Sequence, residues 1–123
     1  MEVSFLVDTG ADRTLLSPTE GARLRQQLGI DLLSLPFGPP IGGVGGETQT
    51  RMIDATLSIG EQSISTTLSL LEPPPGIFPT MPSLLGRDIL YQLALFMEYR
   101  SDQLILLDES ETEHISFSAR QQR

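Results

Sequence analysis

Phe5-Leu6-Val7-Asp8-Thr9-Gly10-Ala11-Asp12 decides how the rest of the chain is read, because here an apolar run delivers a carboxylate into a tight turn. Residues 3–7 are apolar or small and stop at the Asp-Thr-Gly turn signal, which predicts a buried strand. Alone, Asp-Thr-Gly is an ordinary turn tripeptide. Its setting adds weight: the apolar approach through Phe5, Leu6 and Val7 and the apolar exit at Leu15 and Leu16 partly bury Asp8. A carboxylate so placed needs hydrogen-bonding partners.

Working outward, Thr14-Leu15-Leu16 predicts a second short strand, and Ser17-Pro18-Thr19-Glu20 opens a helix. Ser17 suits the N-cap, Pro18 the first helical position, and Glu20 the third, from which it reaches back in a capping box. Leu24 and Leu28 fall on one face, and Gly29 stops the helix. Residues 32–40 mix leucines and Phe37 with Pro36, Pro39 and Pro40, so an extended connection is expected. Ile41-Gly42-Gly43-Val44-Gly45-Gly46 follows, then an alternation of Ile53, Ala55, Leu57 and Ile59 with polar residues. Gly60-Glu61 supplies a two-residue turn, after which Ile64, Thr66, Leu68 and Leu70 keep period two, so a hairpin is predicted.

Five prolines from Glu72 through Pro82 predict a surface loop. Asp88 is expected to cap a short helix running through Ile89, Leu90, Leu93 and Ala94. Residues 95–99 and 104–107 read as a final hairpin. From 109 the chain turns acidic and polar, although Ile115 and Phe117 alternate with serines. That tail is expected either to be disordered or to add a strand where a partner supplies an edge.

Bulk properties bound the function. At 123 residues, with 39% hydrophobic and 20% charged, the chain fits one globular domain, here drawn as 1–108 with a polar C-terminal tail, 109–123. The lack of cysteine leaves no disulfide framework and no thiolate nucleophile, and is compatible with a reducing compartment. A net charge of -8 disfavours a nucleic-acid partner, because phosphate contacts come mainly from Lys and Arg. The first residues lack the basic flank and apolar core of a signal peptide, and no apolar run approaches the ~18 residues of a membrane span. A soluble, cytoplasmic protein is expected.

Three stretches together, Val7-Asp8-Thr9-Gly10-Ala11-Asp12, Ile41-Gly42-Gly43-Val44-Gly45-Gly46 and Leu84-Leu85-Gly86-Arg87-Asp88-Ile89-Leu90, resemble the signatures of the retropepsins, the retroviral-type aspartic proteases. They occur in the family's order and span residues 7–90. The resemblance implies a mainly β fold, a single-domain closed β-barrel of the acid-protease kind with one or two short helices and a glycine-rich flap hairpin. It also implies a homodimer that cleaves an extended peptide or protein substrate, without cofactor or metal.

The chemistry fits that implication. Peptide hydrolysis without a metal or covalent nucleophile needs a base to activate water and an acid for the carbonyl oxygen, and two carboxylates sharing one proton provide both. One chain supplies Asp8, and a two-fold axis supplies its mate. By resemblance, Thr9 braces the two active-site turns across the dimer and Gly10 lets the substrate backbone approach. Ala11, Asp12, Arg13 and Leu84 would bind substrate, with Asp12 paired to Arg87, and Arg87 and Asp88 would be structural supports. Residues Ile41, Gly42, Gly43, Val44, Gly45 and Gly46 would form the flap tip; composition alone reads as a flexible linker. A phosphate-binding loop is set aside, since no Gly-Lys-Ser/Thr follows the glycines.

Retroviral proteases carry a longer segment before the Asp-Thr-Gly turn, where this chain has seven residues ahead of Asp8. The C-terminal hairpin and the stretch near Ile115 are therefore expected to build most of the dimer interface. The alternative, from another class, is a catalytically inactive retropepsin-like module for dimerisation or peptide binding. His114 reads as solvated, Met52, Met81 and Met97 as packing residues, and the acidic run 108–113 as a solvated face without metal-ligand spacing.

Overall fold

The computed structural model describes residues 1–43, 46–72 and 81–107. In chain order these form β1 (Phe5–Val7), β2 (Leu15–Leu16), α1 (Pro18–Leu28), β3 (Phe37–Gly43), β4 (Gly46–Ile59) and β5 (Gln62–Glu72). Then come β6 (Ser83–Leu85), α2 (Arg87–Leu90), β7 (Ala94–Glu98) and β8 (Gln103–Leu107). Six strands make one curled sheet, a half-barrel in the order β1-β6-β2-β5-β4-β3, and β7 with β8 forms a separate two-stranded sheet. The mainly β class with short helices matches the expectation. Among the described residues no helix is long and apolar enough to cross a membrane.

Local sequence explains the central hairpin. β4 and β5 pair antiparallel without a break from Gln49 opposite Glu72 to Ile59 opposite Gln62, and Gly60 at the turn has a φ of 59°. Ile53 faces Leu68, Ala55 faces Thr66 and Leu57 faces Ile64, so the two predicted apolar rows meet on one face. On the other face the Thr67 hydroxyl donates to Asp54 Oδ1 at 2.6 Å, and the Thr56 and Ser65 hydroxyls lie 3.3 Å apart. One side is core and the other solvated, as an antiparallel ribbon allows.

The apolar side carries two clusters. Leu16, Leu24, Ile53, Leu68 and Leu70 form the first; Ile64, Leu85, Ile89 and Leu90 form the second. Phe5 and Leu57 touch both and join them. Helix α1 docks on the first through Leu24 and through Gly21, where a Cβ would lie 2.9 Å from Leu70 Cδ1. Gly21 therefore sets how closely helix and sheet approach.

Several expectations are corrected. Ser17 does accept from the Glu20 N–H at 3.4 Å, and Gly29 ends α1 in the left-handed region. The reciprocal half of the capping box is not made, because Ser83 Oγ accepts the Ser17 N–H at 2.9 Å and Glu20 pairs with Arg23 instead. Leu28 is exposed rather than sharing the buried face of Leu24, and only Leu24 of the two joins the first core cluster. The expected connection over 32–40 contains a 3-10 turn at Leu32–Ser34, capped by Asp31 Oδ1 accepting from the Leu33 N–H, and then becomes strand β3. Its prolines fit because the register to β4 shifts between Gly38 and Ile41.

At the other end, α2 stops at Leu90, Gly86 occupies its N-cap position and Asp88 does not cap it. Leu93 lies beyond the helix, and Ala94 begins β7. Met97 is 67% exposed and packs no core. The proposed tail, with His114 and Ile115, and most of the proline-rich loop lie outside the described residues.

Candidate active site

The catalytic candidate sits where two parallel strands end together. β1 runs parallel to β6 with Val7 beside Leu85, so the chain leaves both strands at the same level. The Asp8 N–H donates to the Leu85 carbonyl at 3.0 Å, extending the pairing by one bond, and the Asp8 carbonyl accepts from the Ala11 N–H at 3.2 Å to close the turn. Within that turn the Gly10 N–H donates to Asp8 Oδ1 at 2.9 Å. Asp8 is half-buried, with its carboxylate oriented by a backbone donor and not by an ion pair. A hypothetical Cβ on Gly10 would lie 3.2 Å from Asp8 Oδ1, so the glycine keeps that oxygen uncrowded.

Beneath the turn, the segments 11–14 and 86–88 are laced together. The Arg87 N–H donates to the Ala11 carbonyl at 2.9 Å and the Asp88 N–H to the Asp12 carbonyl at 3.3 Å. Asp88 Oδ1 accepts from the Thr14 N–H at 2.9 Å and from the Thr14 hydroxyl at 2.7 Å, while Thr14 Oγ1 accepts from the Gly86 N–H at 3.0 Å. Thr14 is fully buried, and every polar atom it carries there is used. Gly86 is needed for contact: a Cβ would fall 2.5 Å from the Arg13 carbonyl carbon and 2.9 Å from the Thr14 nitrogen. Asp88 thus ties the Thr14 turn to the start of α2, where its Oδ1 also accepts from the Ile89 N–H at 2.9 Å. The part played by Thr14 was missed; its local sign was a polar β-branched residue ahead of two leucines.

Arg87 reaches Asp12 in an ion pair, the pairing implied by the resemblance. Above it lies a cavity of about 360 Å³ between the turn and the arm of the β3–β4 hairpin. Ala11, Asp12, Arg13, Ile41, Gly42 and Leu84, six of the expected substrate contacts, line it together with Pro39 and Ser69. Gly43 and Gly46 pair at the end of the hairpin; Val44 and Gly45, the expected tip, lie outside the described residues. Thr9 is exposed beside Asp8.

Arg51, which sequence reasoning also missed, ties down the root of that hairpin. Its guanidinium donates to the Leu33 and Leu35 carbonyls at 3.0 and 2.9 Å, meets the Glu72 carboxylate at 2.8 Å, and stacks 4.2 Å from the Phe37 ring centroid. A planar fork with five donors suits such a junction. The cue was a lone cation in a β-rich stretch, which does not reveal its partners. Among the described residues, no group of three or more His, Cys, Asp or Glu side chains is placed to hold a metal ion.

Comparison with known proteins follows the same lines. An aspartyl protease family model matches residues 1–89. The structure of EIAV protease complexed with the inhibitor HBY-793 is 30% identical, covering 72% of this chain and 74% of that one, with a TM-score of 0.55. Two structures of lower sequence identity share the fold. A retropepsin-like aspartic protease from Rickettsia conorii is 24% identical, covering 87% of this chain and 81% of its own, with a TM-score of 0.62. The retroviral protease-like domain of Ddi1 from Leishmania major is 16% identical, covering 85% and 78%, with a TM-score of 0.53. No curated protein matches the sequence significantly. With its Asp-Thr-Gly turn, its half-barrel and these matches over most of its length, the chain belongs to the retropepsin-like aspartic proteases.

Proposed function

We propose that the chain is an aspartic endopeptidase whose active unit is a homodimer, with Asp8 of each copy contributing to one shared-proton pair. The observation that carries this reading is the position of Asp8: half-buried, at the end of paired strands, its Oδ1 held by the Gly10 N–H beside a cleft lined from both turn and hairpin. Two such carboxylates brought together cannot both ionise easily, so one stays protonated. The ionised partner removes a proton from water as it attacks the peptide carbonyl, and the protonated partner donates to the carbonyl oxygen.

Thr9, exposed beside Asp8, would brace the paired turns, and the β3–β4 hairpin would close over an extended substrate as a flap. The C-terminal hairpin supplies a surface for association: Phe96, Met97, Tyr99, Leu104 and Ile105 are all exposed on it. A cytoplasmic setting belongs to the proposal, and the lack of cysteine is compatible with it.

The test is cleavage of a peptide library by the wild type and by Asp8→Asn. Wild-type cleavage should fall at least about a thousandfold in the variant, by analogy with the loss of a group that acts in a catalytic unit. Equal activity in both would sink the assignment. A dimer that binds peptide without cutting it would instead favour the inactive binding module.

A further inference from the structure

The cleft lining holds one cation whose head is unpaired among the described residues. Asp12 and Arg13 are the charged residues that line it, and Asp12 is already paired with Arg87. Among the described residues Arg13 has no ion-pair or side-chain hydrogen-bond partner, and it is exposed. Its backbone is the opposite of free: Gly86 packs against its carbonyl, and the next residue, Thr14, is fixed by Asp88. A cation with an unpaired head on a rigid base is positioned to read a ligand. The rest of the lining, including Leu15, Pro39, Pro40, Ile41 and Leu84, is mainly apolar.

We propose that Arg13 makes this cleft prefer extended peptides that carry an acidic side chain next to an apolar one, a proposal resting on the peptidase reading of the same cleft. The net charge of -8 does not oppose this at contact distance, because charges farther than about 8 Å are largely screened at physiological ionic strength. The selected substrate has an isolated Glu or Asp in a neutral or basic context, not an acidic run. A solvent-exposed pair of this kind is worth about two- to fivefold in affinity.

The experiment uses peptides identical except for Glu, Gln or Lys at each position in turn. Cleavage is measured as kcat/KM, and binding is measured in parallel with the same peptides carrying a hydroxyethylene group in place of the scissile amide. At one or more positions the wild type should favour Glu over Gln about two- to fivefold, and over Lys by more. Arg13→Gln should level Glu against Gln, Arg13→Glu should reverse the order towards Lys, and added salt should shrink every ratio. Ratios taken within one variant do not depend on how much of it is folded. Equal treatment of the three peptides at every position in both readouts overturns the proposal, as does a Glu preference that survives Arg13→Glu. Binding that keeps the charge order without any cleavage would sink the endopeptidase reading and leave the selectivity standing. Absence of both binding and cleavage would overturn both.

Discussion

The floor of the cleft and the C-terminal hairpin are both built from short elements, yet they are held in opposite ways. In the floor, β1, β2, β6 and α2 contribute few residues each, and buried and half-buried side-chain hydrogen bonds between 14 and 86–88 fasten them across the chain. In the hairpin, β7 and β8 are fastened mainly to each other, from Ala94 opposite Leu107 to Glu98 opposite Gln103. Leu93 and Leu106 anchor it to the second core cluster, while the Phe96–Ile105 pair on the alternate face is 43% and 40% exposed. Two-stranded ribbons are marginal in water unless something covers a face. The difference teaches that this chain spends its internal order on the site, and leaves the apolar surface of its C-terminal hairpin exposed.

The contrast breaks most readily at Asp88. Replacing it with alanine strips the Thr14 N–H and hydroxyl of their acceptor inside the protein, and bonds to a charged acceptor contribute about 1.5–3 kcal/mol each. Asp88→Ala should therefore destabilise the fold by at least about 3 kcal/mol in urea titration, and peptide cleavage should fall with it. If it unfolds at the wild-type midpoint, the floor is not held by this lacing.

That lacing was the least legible part of the sequence. Helix α1 and the β4–β5 hairpin could be read because their signals are local: Ser17-Pro18 and Gly29 at the ends of one, period-two alternation around Gly60 in the other. Asp8, Asp12 and Arg87 could be placed by their motifs. Thr14 and Asp88 lie 74 residues apart, and neither carries a local mark of the other, so the local sequence points Asp88 to a helix cap and not to Thr14. Leu28 misled for a related reason: helical spacing shows which residues share a face, but not which of them joins the core. Asp31 is the local signal there, an Asx-type cap for a turn that the proline content masks.

Arg51 sharpens the comparison from the roof of the cleft, where one side chain does for the hairpin root what Asp88 does for the floor. Arg51→Met removes its bonds to two carbonyls and leaves Glu72 unpaired, which should cost about 1–2 kcal/mol. Arg51→Lys should recover less than half of that loss, because an ammonium cannot serve a carboxylate, two carbonyls and a ring face at once. The distinguishing readout is amide exchange at Met52, whose N–H donates to the Pro36 carbonyl at 2.8 Å. Exchange there should quicken while that of Thr14 holds. A rise in KM larger than the fall in kcat would mark Arg51 as a positioning residue for the hairpin; equal quickening at both amides would mean that it merely stabilises the whole.

The smallest effect on stability should come from Tyr99, which is 99% exposed just beyond β7. Tyr99→Ser removes no contact of consequence within the chain, so its unfolding free energy should shift by less than about 0.5 kcal/mol. If the hairpin is the covered surface of a dimer, the same change acts on association, where a buried tyrosine is a common anchor worth 2 kcal/mol or about thirtyfold in affinity. Sedimentation equilibrium of wild type and variant separates the two readings, because it measures association without requiring turnover. Weakened association with unchanged unfolding would show that floor and hairpin divide the work, one ordering the site and the other completing it. Unchanged association would move the dimer contact off this end of the hairpin, and with it the reason for leaving so large an aromatic ring in water.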